Sequence, residues 1–129
     1  MTQRAILVVD DQEDLREILE MKLTAAGYRV TAVANGRDAI KAFAQEKFDL
    51  VLTDMIMPER DGLEVIWGVR QAQPGLPVIA MSGGGRMTPA EYLKMARSFG
   101  AIALLEKPFS DEQLLSSIAL ALPAPPAGA

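Results

Sequence analysis

Residues 51–62 read VLTDMIMPERDG. The apolar run Leu50-Val51-Leu52 ends abruptly on an acid, Asp54. An apolar triplet and a proline come next, then Arg60-Asp61-Gly62, whose composition is that of a turn. A short apolar run bounded by turn signals fits a strand buried on both faces. Such strands belong in a parallel sheet covered by helices. A carboxylate at the end of one can cap a helix, hold a metal or act as a nucleophile. Taken alone, Asp54 reads first as a cap or turn former. The other two readings need partners from elsewhere in the chain.

Working outward, short apolar runs alternate with helical periodicity. Ile6–Val9 reads as a buried strand. Leu15, Ile18, Leu19 and Leu23 recur at helical spacing, and Gly27 stops that helix. Val30–Val33 is a second strand, Asn35-Gly36 a turn, and Ala39, Ile40 and Phe43 mark a second helix. The third strand is Phe48–Thr53; Leu63, Ile66 and Val69 mark the helix after it, closed by Pro74-Gly75. Trp67 reads as a partly buried residue of that helix. Val78–Met81 and Ile102–Leu105 are the fourth and fifth strands. Thr88 lies three residues before Glu91, with Pro89 in the first turn, which is a capping-box start. Tyr92, Leu93, Ala96 and Phe99 give that helix its apolar face, and Gly100 ends it. Ser110 and Gln113 repeat the capping pattern before Leu114, Leu115, Ile118 and Leu122. This alternation predicts an α/β fold, a single doubly wound five-stranded parallel sheet flanked by five helices. Ligands of such folds bind outside the carboxyl ends of the strands.

Composition narrows the chemistry. A chain of 129 residues, half of them hydrophobic, suits one domain with a real core. Thirteen basic and 17 acidic residues give a net charge of -4, which argues against a nucleic-acid partner. Without cysteine there is no disulfide framework, thiol nucleophile or thiolate metal site. Without histidine there is no imidazole base or ligand, and no autophosphorylation on histidine. No apolar run is long enough to span a bilayer, and the N-terminus lacks the pattern of a signal peptide. The expectation is a cytoplasmic protein without membrane association.

The residues just past each strand carry the functional reading. Asp10 and Asp11 come after the first, Asp54 after the third, Ser82 after the fourth, and Lys107 and Pro108 after the fifth. In a parallel sheet these all fall on one edge. Singly, each has a plainer explanation: acids suit helix starts, a serine caps, and a lysine before proline is a solvated side chain. Jointly, the acid pair, single acid, hydroxyl and lysine on four strand ends are hard to obtain by accident.

The stretches LVVDD, TDMIMPERDG, MSGGG and EKPF resemble the response-regulator receiver domains of two-component signalling, the CheY-like family. The resemblance runs over residues 4–122 and implies the strand order 2-1-3-4-5. It implies a receiver domain over 1–122, with the Pro/Ala-rich 123–129 as a disordered tail. Three clustered carboxylates repel, and Mg2+, a hard cation that takes oxygen ligands, relieves this. Asp11 and Asp54 are expected as direct ligands, with Asp10 direct or through water. By resemblance the backbone carbonyl of Ile56 completes the set. Asp54 is the expected phosphoacceptor, with Ser82 and Lys107 contacting the phosphoryl oxygens. The donor would be a histidine kinase or phosphotransfer protein, and the output a downstream protein target, with the chain a monomer or weak dimer. It would catalyse only its own phosphorylation and dephosphorylation.

Two features depart from the family pattern. Leu104 stands where receivers commonly carry a switching Tyr or Phe, and the segment from Ser82 to Lys107 is longer than usual, with the surplus in GGGRMTP. The switch is therefore expected to involve Ser82, Gly83 and Gly84, with Leu104 filling vacated space. Two other readings compete. A haloacid-dehalogenase-like phosphatase shares the Asp nucleophile, Mg2+, hydroxyl and lysine. It normally adds an acid two residues after the nucleophile, where this chain has Ile56, which cannot move a proton. A pseudo-receiver binding module would keep the fold without phosphorylation, yet here every site position holds a competent residue.

Overall fold

The computed structural model describes residues 3–55, 61–83, 88–98 and 100–122. Ile56, Gly84, Phe99 and the tail at 123–129 lie outside the described residues, as do the side chains of Leu63 and Tyr92. Ten elements alternate along the chain: β1 (Ala5–Val9), α1 (Glu13–Ala25), β2 (Arg29–Val33), α2 (Gly36–Gln45), β3 (Leu50–Asp54), α3 (Asp61–Ala72), β4 (Val78–Ser82), α4 (Pro89–Ser98), β5 (Ala103–Glu106) and α5 (Asp111–Ala121). The strands form one parallel sheet in the order β2-β1-β3-β4-β5. This is the architecture the alternation predicts.

The period-2 alternation of the strands sorts their side chains between two cores. Leu7, Val9, Val51, Val78 and Ala80 pack with Ala39 of α2, Ile66 and Val69 of α3 and Ala96 of α4. Ile6, Val8, Leu50, Leu52, Ile79 and Met81 pack on the opposite side with Leu19 and Leu23 of α1 and Leu114 and Ile118 of α5. The central strands β1, β3 and β4 are buried at every position, whereas the edge strands β2 and β5 are mostly half-buried. Each fully buried Leu or Ile contributes roughly 1.5–3 kcal/mol relative to an exposed one.

Local signals set the helix starts. Both capping boxes are closed: Glu91 N–H donates to Thr88 Oγ1 and Thr88 N–H to Glu91 Oε2, and the Ser110–Gln113 pair does the same. Asn35 does more than turn the chain, because its Oδ1 accepts the Asp38 N–H and caps α2, leaving Gly36 as the first helical residue. Gly100, at φ +106, lies against the Arg70 side chain of α3, so the α4–β5 turn is set by a close approach that a Cβ would obstruct.

Two expectations need correction. β3 runs over Leu50–Asp54 rather than Phe48–Thr53, so the acid belongs to the strand itself. Trp67 is 59% exposed, because α3 turns Ile66 and Val69 inward and leaves the residue between them on its outer face. Ile40 is 49% exposed; its Cδ1 sits 3.0 Å from where a Cβ on Gly68 would lie, at the rim between α2 and α3.

The end of α2 is tied to the edge strand β2. Thr31 Oγ1 donates to Glu46 Oε1 at 2.6 Å, and Arg29 Nη1 to Oε2 at 3.0 Å. The Thr31 hydroxyl, and after it the Arg29 guanidinium, hold the Glu46 carboxyl below its ordinary value. A carboxyl whose folded pKa is depressed contributes stability above its unfolded pKa and loses it as pH falls through the folded value. Glu46→Gln should therefore lower the urea midpoint at pH 7, with the difference shrinking as the pH falls below about 5. Equal midpoints for the two proteins at pH 7 would show that the clasp contributes nothing.

Candidate functional site

The parallel register brings the strand ends together. Val9 of β1 pairs with Thr53 of β3, so one residue further on Asp10 comes beside Asp54. Asp54 pairs with Met81 of β4, which puts Ser82 one step beyond it. Ser82 pairs with Glu106 of β5, and the Lys107 N–H donates to the Ser82 carbonyl at 2.6 Å. Four segments far apart in the chain thus end at one edge, as the alternation predicts.

Asp10, Asp11 and Asp54 each place a carboxylate oxygen within 4.8 Å of the others. Asp10 and Ser82 are buried, Asp54 is 4% exposed and Asp11 is open to solvent. Lys107 reaches in from the β5 end. Its Nζ lies 3.1 Å from Asp10 Oδ2 and 3.1 Å from Asp54 Oδ2, and its side chain is only 14% exposed. Such a bridging ammonium satisfies two buried carboxylates at once, at the cost of its own hydration. Among the described residues, the three carboxylates outnumber the one ammonium that ion-pairs with them.

Asp10 is held at both its main chain and its side chain. Its N–H donates to the Val33 carbonyl at 3.1 Å, and its Oδ1 accepts the Gln12 N–H at 2.8 Å. Its Oδ2 takes the lysine, and its main-chain carbonyl accepts from Arg16 Nη1 at 2.9 Å. The Gln12 side chain makes no cap at the start of α1. The Arg16 contact was not singled out by sequence reasoning. Its one signal is a cation in the first turns of a helix, where the dipole disfavours it.

The donor set fits a hard divalent cation: oxygen ligands only, net negative, with one carboxylate open to water. Of the expected switch residues, Ser82 is buried and Gly83 is exposed at the mouth of the site. Leu104 is half-buried and packs on the core beneath α2–α4, together with Met95. Gly84 and the Ile56 carbonyl lie outside the described residues.

Comparison with known proteins settles the family. The family model described as "Response regulator receiver domain" matches residues 6–119. The chain belongs to the response regulator receiver family. This receiver domain is 33% identical over 113 residues to the transcriptional regulatory protein GlrR of Escherichia coli K12, covering 88% of this chain and 25% of GlrR. It therefore spans about a quarter of that relative's length. Among solved structures, the chemotaxis response regulator CheY4 of Vibrio cholerae matches with a TM-score of 0.85 and 32% identity, over 94% of this chain and 100% of that one. The response regulator TrrA of Thermotoga maritima, solved in complex with Mg2+-BeF, matches with a TM-score of 0.81 and 30% identity, over 93% and 100% of the two chains. The sheet order and helix arrangement are those of the CheY-like fold. Receiver domains belong to a signalling family and are generally not classical enzymes, and none of these matches supports either competing reading. No helix among the described residues is long and apolar enough to cross a membrane.

The charge imbalance has opposite consequences at two positions. In EDTA, Asp11→Asn should stabilise the receiver by about 1 kcal/mol, because it removes a repelling charge that makes no buried contact. Lys107→Met should destabilise it by about 3 kcal/mol, because two buried carboxylates lose their shared partner. Urea unfolding at low ionic strength measures both. Destabilisation by Asp11→Asn as well would mean that the acids are not in mutual repulsion.

Proposed function

We propose that this receiver accepts a phosphoryl group on Asp54, transferred from a phosphohistidine of a partner protein. One observation carries the reading: three strand-end carboxylates lie within 4.8 Å of one another, and a buried lysine ammonium bridges two of them. Asp10, Asp11 and Asp54 would hold Mg2+, with the Ile56 carbonyl as a further ligand. When bound, the cation supplies charge neutralisation for the phosphoryl oxygens.

The chain's own residues do the rest. A carboxylate oxygen of Asp54 attacks phosphorus as the phosphorus–nitrogen bond of the donor breaks, and the electron pair stays on the donor's ring nitrogen. The product is an acyl phosphate on Asp54. Lys107 then has a phosphoryl oxygen to pair with in place of the carboxylates. Ser82 donates a hydrogen bond to another oxygen. Its attachment to the glycines that lead into α4 passes that displacement to the helix, and Leu104 fills the space released. Glycine backbone follows such a pull at low cost.

The donor's approach is supported by a groove of about 400 Å3 between α1 and the β5–α5 connection, with Leu15, Ile18, Phe109 and Leu114 in its wall and Gly83 and Lys107 at its end. Its lining joins apolar side chains to Lys107, which also contacts Asp10 and Asp54. A histidine kinase or phosphotransfer protein is the proposed donor, and a downstream protein target the proposed reader of the altered surface. The proposed domain extends over 1–122, acts in the cytoplasm as a monomer or weak dimer, and binds neither nucleic acid nor membrane.

The chain incubated with acetyl phosphate and Mg2+ should gain the mass of one phosphoryl group. The gain should vanish in Asp54→Ala and in excess EDTA. Labelling that survives either change overturns the assignment.

A further inference from the structure

The peptide between Asp10 and Asp11 is the shortest link between two of the three acids. A peptide unit is planar, so orienting its carbonyl also orients its N–H. It thereby fixes the torsions on either side, ψ of Asp10 and φ of Asp11, which aim the two side chains. The carbonyl of this peptide is the one that Arg16 Nη1 holds at 2.9 Å from the first turns of α1. The preceding peptide is held by the Asp10 N–H on Val33, and the next one by the Gln12 N–H on Asp10 Oδ1. Arg16 closes the remaining freedom.

The choice of partner matters as much as the contact. Among the described residues the Arg16 guanidinium makes no ion pair, although three carboxylates lie close by in the fold. An arginine paired directly to Asp10 or Asp11 would use up the charge a cation needs. Bonded to the main chain, it orients the acids and leaves their oxygens to other partners. Asp11, exposed and far less tied than Asp10, gains most from a fixed backbone.

We infer that Arg16 is a positioning residue for the divalent-cation site, acting through the Asp10 carbonyl to aim the Asp10 and Asp11 carboxylates. The inference rests on the reading of these acids as the Mg2+ ligands. It makes a prediction opposite in sign to simple electrostatics. Removing a positive charge near a cation site should tighten Mg2+ binding, whereas removing a pin from its ligands should loosen it.

Calorimetric titration of MgCl2 into the 129-residue chain separates these, with far-UV circular dichroism as the check on folding. Arg16→Ala should weaken Mg2+ binding about tenfold, the scale found when a group orienting a metal ligand is lost. Arg16→Lys, which keeps the charge and one donor, should recover most of the affinity. Arg16→Met keeps the aliphatic stem and gives the same reading if the alanine variant does not fold. Unchanged or tighter binding in a folded Ala or Met variant overturns the inference; a fall in thermal stability alone with unchanged affinity does so too, because it marks a merely structural role. Asp54→Ala serves as the control. If it leaves the Mg2+ affinity intact, the underlying metal reading fails; if it weakens binding while Arg16→Ala does not, only the role of Arg16 falls.

Discussion

The mutual repulsion of Asp10, Asp11 and Asp54 is the constraint around which this edge of the molecule is built. Their oxygens approach within 4.8 Å, two of the three acids are buried, and a single ammonium bridges the buried pair. Like charges at this separation repel, and burial strengthens the repulsion. No gain in folding energy accounts for such a cluster, since an apolar set of similar volume would be at least as stable. The sheet must therefore be stable enough to carry it. The central strands β1, β3 and β4, buried along their whole length between two helical layers, provide that reserve.

Parallel pairing links the fold to the site. It sends every strand end to one edge, and the register sets which residues meet there. The order β2-β1-β3-β4-β5 puts β1 beside β3, so the acid pair meets Asp54 directly, while β4 and β5 deliver Ser82 and Lys107 from the other side. The second strand, at the sheet edge, brings no charge. It contributes the Val33 carbonyl that anchors Asp10. Positive charge thus enters the cluster by the long side chain of Lys107.

Much of this was legible in the chain. Hydrophobic runs that ended in acids gave the strands and their polar edge, and the two capping boxes gave the starts of α4 and α5, because those signals are local. The exposure of Trp67 and Ile40 was not legible, because helical phase against a neighbour depends on tertiary packing. The last residue of β3 was misplaced for a related reason: a carboxylate inside a strand contradicts propensity and is held there by the register with β4. Arg16 escaped notice because its partner is a main-chain carbonyl, and a carbonyl leaves no mark in a sequence. Places where local rules fail tend to be functional, and the failures at Asp54 and Arg16 both lie beside the acidic cluster.

The central claim is that the nucleophile is the buried acid at the end of the third strand rather than either member of the acid pair. Borohydride reduction of the phosphorylated chain tests this most directly, because it converts an acyl phosphate to an alcohol and leaves free carboxylates unchanged. Peptide mapping by tandem mass spectrometry should find homoserine at position 54 and intact aspartate at positions 10 and 11. Homoserine at position 10 or 11, or at none of the three in a phosphorylated sample, would contradict the account.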